Sequence, residues 1–149
     1  MYHHILISTD GSELGTKGLD HGLTLAKALG AKVTIITVTE RYPSYIGSAG
    51  EVWIAATELE TEFEESRKQQ AEGILKTAAE AAGRMGVPAQ VLHVPNALPA
   101  EAIVAVAKEK DCSLICMSSH GRRGLGRLLL GSQTAEVLAH SPVPVLVVR

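Results

Sequence analysis

Five short apolar runs recur along this chain, separated by longer amphipathic stretches. They are His4–Ser8, Lys32–Val38, Ala89–Val94, Ser113–Met117 and Val143–Val148. Ile, Leu and Val follow one another without strict alternation, as in strands buried on both faces. Between them the apolar spacing turns helical. Glu13 to about Leu29 reads as a helix, with Ser12 as N-cap, Gly30 as stop, and Leu19, Leu23, Ala26 and Leu29 as its apolar stripe. Gly15, Gly18 and Gly22 fall inside it, each costing about 1 kcal/mol relative to Ala; close packing on a sheet would explain them.

A long helix is expected over Ala55 to Arg84, with Leu59, Phe63, Gln70, Ile74, Ala78 and Ala81 along one side. Glu58, Glu62, Glu64, Glu65, Arg67 and Lys68 read as its solvated face, a partner-binding face being the alternative. Pro99 suits the first position of a third helix ending near Lys110. A short fourth helix, Gln133 to His140, is ended by Ser141-Pro142. The stretch from Glu40 to Val52 is the one loose connection, either a site rim or a surface loop.

Strand–helix alternation of this kind gives a parallel sheet with helices on both faces. Ligands of such sheets bind beyond the carboxyl ends of the strands, where the strand order reverses. A length of 149 residues is enough for one domain with a full core. Aromatics are only 3% of it, so Val, Ile, Leu and Ala must fill that core. A net charge of −2 without a basic tail argues against nucleic acid as a partner. No apolar stretch is long enough to cross a bilayer. Met1-Tyr-His-His lacks the positive region of a secretory leader, so the expected location is cytoplasmic.

The chemistry concentrates in the segment from Met117 to Gln133, which leads from the fourth strand into the fourth helix. It is not a Walker A loop, because the chain has no Gly-Lys pair. Nor is it a dinucleotide fingerprint: Gly124-Leu-Gly126 lies late in the chain and runs into Arg127-Leu-Leu129. What it holds is Gly121, nine intervening residues, then Gly131-Ser132 at a helix start. Gly131 lets an anion approach, and the N–H groups of Ser132 and Gln133 can donate to it. The Ser132 hydroxyl can bond a phosphate oxygen or serve as an N-cap. Arg122, Arg123 and Arg127 add positive charge suited to a polyphosphate, or are simply solvated. His120 can contact phosphate or fill the turn.

Asp10 ends the first strand in Ser8-Thr9-Asp10-Gly11-Ser12. There it can accept from an adenine amino group or a ribose hydroxyl, or it can cap the first helix through an Asx-turn. Cys112 and Cys116 read as core residues and exclude a C-x-x-C redox pair. His3, His4, His21 and His140 lack metal-ligand spacing, and no Ser-His-Asp set or paired carboxylates are placed for acid–base work.

These pieces together resemble the universal stress protein family over the whole chain. The resemblance rests on Ile-Leu-Ile-Ser-Thr-Asp-Gly-Ser at the start, Met-Ser-Ser-His-Gly-Arg-Arg-Gly-Leu, Leu-Leu-Gly-Ser, and the closing Ser-Pro-Val-Pro-Val-Leu-Val-Val. It implies one Rossmann-like domain over residues 1–149, with five parallel strands in the order 3-2-1-4-5 and four flanking helices. It implies ATP as ligand, with or without Mg²⁺. Asp10 and Val38 would face adenine, following Ser8 and Thr9; Met117 and Ser118 would lie by the ribose. Gly121, Gly131, Ser132 and Gln133 would hold the phosphates, beside His120 and Arg122. The family's ATP-binding pattern, G-x-x-G, nine residues, then G-[ST], falls on Ser118, Gly121, Gly131 and Ser132. Ser118 replaces the first glycine, which is expected to crowd the ribose or disfavour the backbone angles and so weaken binding.

The final run, Val145 to Val148, would be an exposed apolar edge in a monomer. Pairing with the same strand of a second chain would cover it, and the resemblance also implies this homodimer. The leading expectation is therefore a dimeric ATP-binding stress or regulatory protein that is not an enzyme. The alternatives are an interaction dimer without a ligand and a slow ATPase or phosphotransferase.

Overall fold

A computed structural model describes residues 1–41, 52–121 and 129–149. The elements follow in the order β1 (His4–Ser8), α1 (Glu13–Leu29), β2 (Lys32–Val38), α2 (Val52–Met85), β3 (Ala89–Val94), α3 (Pro99–Glu109), β4 (Leu114–Ser118), α4 (Ser132–His140) and β5 (Val145–Val148). All strand pairs are parallel, in the order β3-β2-β1-β4-β5. β1 is central, with Ile7 opposite Ile35 on β2 and Cys116 on β4.

Alternate residues of the strands feed two cores. Ile5, Ile7, Val33, Ile35, Leu114 and Cys116 pack beneath Leu19, Leu23 and Ala26 of α1 and Leu75, Ala78 and Ala82 of α2. Leu6, Ile36, Ile115 and Met117 face the other way, against Ile103 and Val106 of α3 and Val137 of α4. Burial on both faces explains why the strand sequences run apolar without alternating.

The boundaries differ from the sequence reading by a few residues. The fourth strand begins at Leu114 because Ser113 works as a clasp, its N–H and hydroxyl both donating to the His4 carbonyl at 2.8 and 3.1 Å. The fifth begins at Val145, just after Pro144, which has no N–H for a ladder. Leu29 is 48% exposed, since it lies in the last turn of α1 where Gly30 (φ 65°) turns the chain away. On α2 the buried stripe is Ala71, Leu75, Ala78 and Ala82. Of the side expected from sequence, Ala78 is buried, Ile74 and Ala81 are half-buried, and Leu59 and Gln70 are exposed. Small alanines define the true contact, and they carry a weaker hydrophobic signal than Leu59. Most of the loose connection after Glu40 lies outside the described residues.

The three glycines of α1 mark its closest approach to the sheet. A Cβ on Gly22 would lie 2.5 Å from Ile7 Cδ1, one on Gly18 3.3 Å from the Ser118 nitrogen, and one on Gly15 2.5 Å from Asp10 Oδ1. These glycines therefore bring α1 down onto the strand ends where the site lies.

Candidate functional site

The chain leaves β1 and β4 in opposite directions, toward β2 on one side and β5 on the other. This is the topological switch point, and a cavity of about 570 Å³ opens over it, within the range of small-molecule sites. Ser8, Thr9 and Asp10 enter from β1, Val38 from β2, and Met117 and Ser118 from β4. His120, Gly121, Gly131, Ser132 and Gln133 complete its wall from the loop and α4. Arg122, Arg123 and Arg127 lie outside the described residues.

The β1 side is built as a turn. The Thr9 N–H donates to the Ile36 carbonyl at 3.0 Å, and the Thr37 hydroxyl donates to the Thr9 carbonyl at 2.9 Å. Asp10 Oδ1 accepts from the Ser12 N–H at 3.0 Å and the Ser12 hydroxyl at 2.6 Å. Ser12 Oγ in turn accepts from the Gly15 N–H at 3.0 Å, capping α1. Gly11 takes φ 74°, which a side chain would resist. Of the two roles open to Asp10, the structure displays the Asx-turn at Oδ1. Oδ2 faces the loop, 3.2 Å from where a Gly121 Cβ would stand.

The β4 side is held more tightly. The Ser118 hydroxyl donates to the His120 carbonyl at 2.8 Å. The Ser119 N–H donates to the Val148 carbonyl, and the Gly131 N–H donates to the Ser119 carbonyl, each at 2.8 Å. The Thr134 hydroxyl lies 3.0 and 3.1 Å from the carbonyls of Ser118 and Ser119, positioned to donate to both. Gly131 is the N-cap of α4, with φ −61° and ψ 148°, and no side chain caps the helix. Ser132 is thus the first helical residue and not the cap. The opening N–H groups of α4 face the cavity carrying the partial positive charge of a helix start. A Cβ on Gly131 would lie 2.8 Å from the Ser119 carbonyl oxygen and 3.7 Å from His120 Cδ2. Space, not backbone angle, demands glycine here.

Gln133 has a second role besides the backbone N–H expected of it. Its side-chain Oε1 accepts from the Ala100 N–H at 2.9 Å, supplying α3 with the cap that Leu98 cannot. Its backbone N–H and the other half of its amide, the Nε2 donors, are left to serve a ligand. Ser118 has no left-handed backbone strain either: among described non-glycine residues only Asn96 and Asp111 have positive φ.

Several wall residues escaped the sequence reading. Arg67, Gln70, Ala71 and Ile74 of α2 line the cavity at helical spacing, and Thr37, Thr39 and Thr134 add hydroxyls. The Arg67 guanidinium sits 5.0 Å from the Phe63 ring centroid, a cation–π contact that aims it along the helix. Arg67 read as part of the solvated face and Gln70 and Ile74 as part of the apolar side, so nothing in the sequence joined them into one wall.

Fold and cleft together define an open, doubly wound α/β domain with a cavity at its switch point. The profile of the universal stress protein family matches residues 1–149, and the chain belongs to that family. A universal stress protein of Thermus aquaticus is 34% identical over 149 residues, covering 100% of both chains. The solved structure of MJ0577 from Methanocaldococcus jannaschii has a TM-score of 0.79 at 28% identity, covering 99% of this chain and 96% of that one. A universal stress protein solved in complex with cAMP has a TM-score of 0.68 at 26% identity, covering 99% and 97%.

Proposed function

We propose that this chain binds an adenine nucleotide, ATP, in the switch-point cavity and acts as a cytoplasmic, homodimeric regulatory protein rather than as an enzyme. The observation that carries the reading is the uncapped start of α4 in the cavity wall. Gly131 lets the Ser119–His120 backbone pack against the helix start, no side chain caps the helix, and a buried ring nitrogen, His120 Nε2, has no hydrogen-bond partner among the described residues. An anion fits such a place: it takes N–H donors and a helix-dipole charge that nothing else satisfies. The cAMP complex of a relative 26% identical to this chain supports a nucleotide as the anion's carrier.

In this reading the Ser132 and Gln133 N–H groups and Ser132 Oγ hold phosphate oxygens beside Gly131, joined by Gly121 and Arg122. Met117 and Ser118 lie by the sugar, and Ser8, Thr9, Asp10 and Val38 line the base side. In this reading the ligand is held and not turned over. β5 is an edge strand whose Val145, Leu146 and Val147 remain half-buried; pairing with a second copy would satisfy that edge.

The test is to denature the purified protein and look for released nucleotide by anion exchange. The stripped protein is then titrated with ATP, with and without Mg²⁺. Nucleotide approaching one per chain, with affinity lost in Gly121→Val and Gly131→Val, is the expected result. No released nucleotide and no binding heat would refute the nucleotide and leave an interaction dimer.

A further inference from the structure

His120 is the unusual group in this site. Ser118, Ser119 and Thr134 fix the backbone on either side of its ring, so the ring is held in place. Its Nδ1 lies 3.0 Å from Ser119 Oγ. Its Nε2 is the one buried side-chain nitrogen or oxygen without a partner among the described residues. A buried polar atom left unpaired costs free energy, so a pocket that keeps one has a use for it.

Donor counting among the described residues favours one tautomer of the ring. Ser119 is buried, and among the described residues its hydroxyl has no other hydrogen-bond partner than His120 Nδ1. If Nδ1–H donated to Oγ, the hydroxyl hydrogen would have no acceptor and the Nε2 lone pair no donor. If instead the hydroxyl donates to Nδ1, both atoms are satisfied and only Nε2–H is left over. The second arrangement wastes less. The ring edge bearing Nε2 is the one nearest Gly131, where His120 Cδ2 is 3.7 Å from the position of a Cβ.

We infer that Ser119 is a positioning residue: its hydroxyl fixes the His120 ring with the proton on Nε2 and so presents a desolvated donor to a phosphate oxygen seated at the start of α4. The inference rests on the nucleotide reading above but adds a donor from outside the glycine frame, and a hydroxyl that orients it without touching the ligand. It also explains why Ser119, which does not line the cavity, is buried against the residue that does.

Nitrogen-15 spectra of the histidine ring, recorded with and without ATP, test this directly. The expected pattern is an Nε2–H ring in the free protein and a downfield shift of that proton on adding ATP. In calorimetric titrations, His120→Ala should weaken ATP binding by roughly ten- to a hundredfold, the loss of a hydrogen bond to a charged oxygen. His120→Gln, which keeps an N–H at similar reach, should recover part of it. Ser119→Ala should give a mixed tautomer and a smaller loss of affinity, and Ser119→Thr should restore both. A ring protonated on Nδ1 in the free protein overturns the inference, as does wild-type affinity in His120→Ala. In the latter case ATP still binds, so the nucleotide reading survives. A wild-type protein that binds no nucleotide overturns both.

Discussion

Replacing Gly22 with alanine separates packing from helix propensity in a single helix. In isolation the change favours helix by about 1 kcal/mol. In this fold the new Cβ would lie 2.5 Å from Ile7 Cδ1, 2.8 Å from Ile7 Cγ1 and 3.3 Å from Cys116 Sγ. Carbon atoms in contact sit about 3.5–4.0 Å apart, so the overlap with Ile7 is roughly 1 Å. Ile7 is 0% exposed and lies on the central strand. It can yield only by leaving its rotamer or by pushing α1 off the sheet. Overpacking of this kind costs about 1–3 kcal/mol, which at least cancels the propensity gain and over most of that range outweighs it. The control is Gly73→Ala in α2, where nothing lies within 4 Å of an added Cβ; it takes the propensity gain alone. Propensity cancels between the two variants, so their difference equals the overpacking cost, about 1–3 kcal/mol. Urea unfolding should show Gly73→Ala shifted to a higher midpoint and Gly22→Ala to a lower one, at unchanged slope. If both variants move upward together, the close approach of α1 to β1 is wrong.

Three further predictions follow from the same contacts. His4 donates from Nδ1 to the Lys110 carbonyl at 3.0 Å and accepts at Nε2 from the Thr34 hydroxyl at 2.9 Å, and burial, then the Lys32 charge, lower its pKa below 6.5. The unfolded chain therefore binds this proton more readily, so stability is full above about pH 6.5 and declines as pH falls toward the lowered folded value. His4→Gln should flatten that decline in thermal melts, and an unchanged slope would show that His4 is not its source. Thr134→Val removes the hydroxyl facing the Ser118 and Ser119 carbonyls. It should cost about 1–3 kcal/mol in urea unfolding, and a cost near zero would mean those carbonyls are satisfied elsewhere. Burial pushes the thiols of Cys112 and Cys116 up to about 11, so both should resist a thiol reagent at pH 8 until the protein unfolds; rapid labelling of native protein would contradict the packing of the core.

How much of this was legible in the sequence varied with the kind of signal. Continuous Ile/Leu/Val runs gave the five strands, because strands buried on both faces need no alternation. The caps of α1, Ser12 and Gly30, were readable from residue type, since each answers a local hydrogen-bonding or φ requirement. The inner face of α2 was not. Its contact stripe is mostly alanine, while the larger Leu59 is exposed. In the site, glycine spacing pointed to the α4 cradle, and eleven of the twelve residues named from sequence line one cavity, Arg122 falling outside the described residues. The roles of Gln133 and Ser119 were hidden for a different reason. Each depends on a partner distant in sequence or on a donor count, and neither leaves a pattern along the chain.

Ser118 shows where a sequence pattern and its physical cause part company. Glycine is demanded for one of two reasons, a positive φ or the absence of space for a Cβ. At Gly131 the second applies, because a Cβ would strike the Ser119 carbonyl. At position 118 the first does not apply, since Ser118 is not among the residues with positive φ. The backbone crowding at this point is relieved from the opposite side by Gly18, whose absent Cβ would sit 3.3 Å from the Ser118 nitrogen. The serine hydroxyl then contributes something glycine cannot, a 2.8 Å hydrogen bond to the His120 carbonyl that tightens the turn. If tightening the turn is its main effect, Ser118→Gly should loosen the His120 ring and lower stability by about 0.5–1.5 kcal/mol. If crowding of the sugar dominates, the same change should raise ATP affinity. Measuring stability and affinity on that one variant separates the two, and a gain in affinity without loss of stability would refute the structural role given to the hydroxyl.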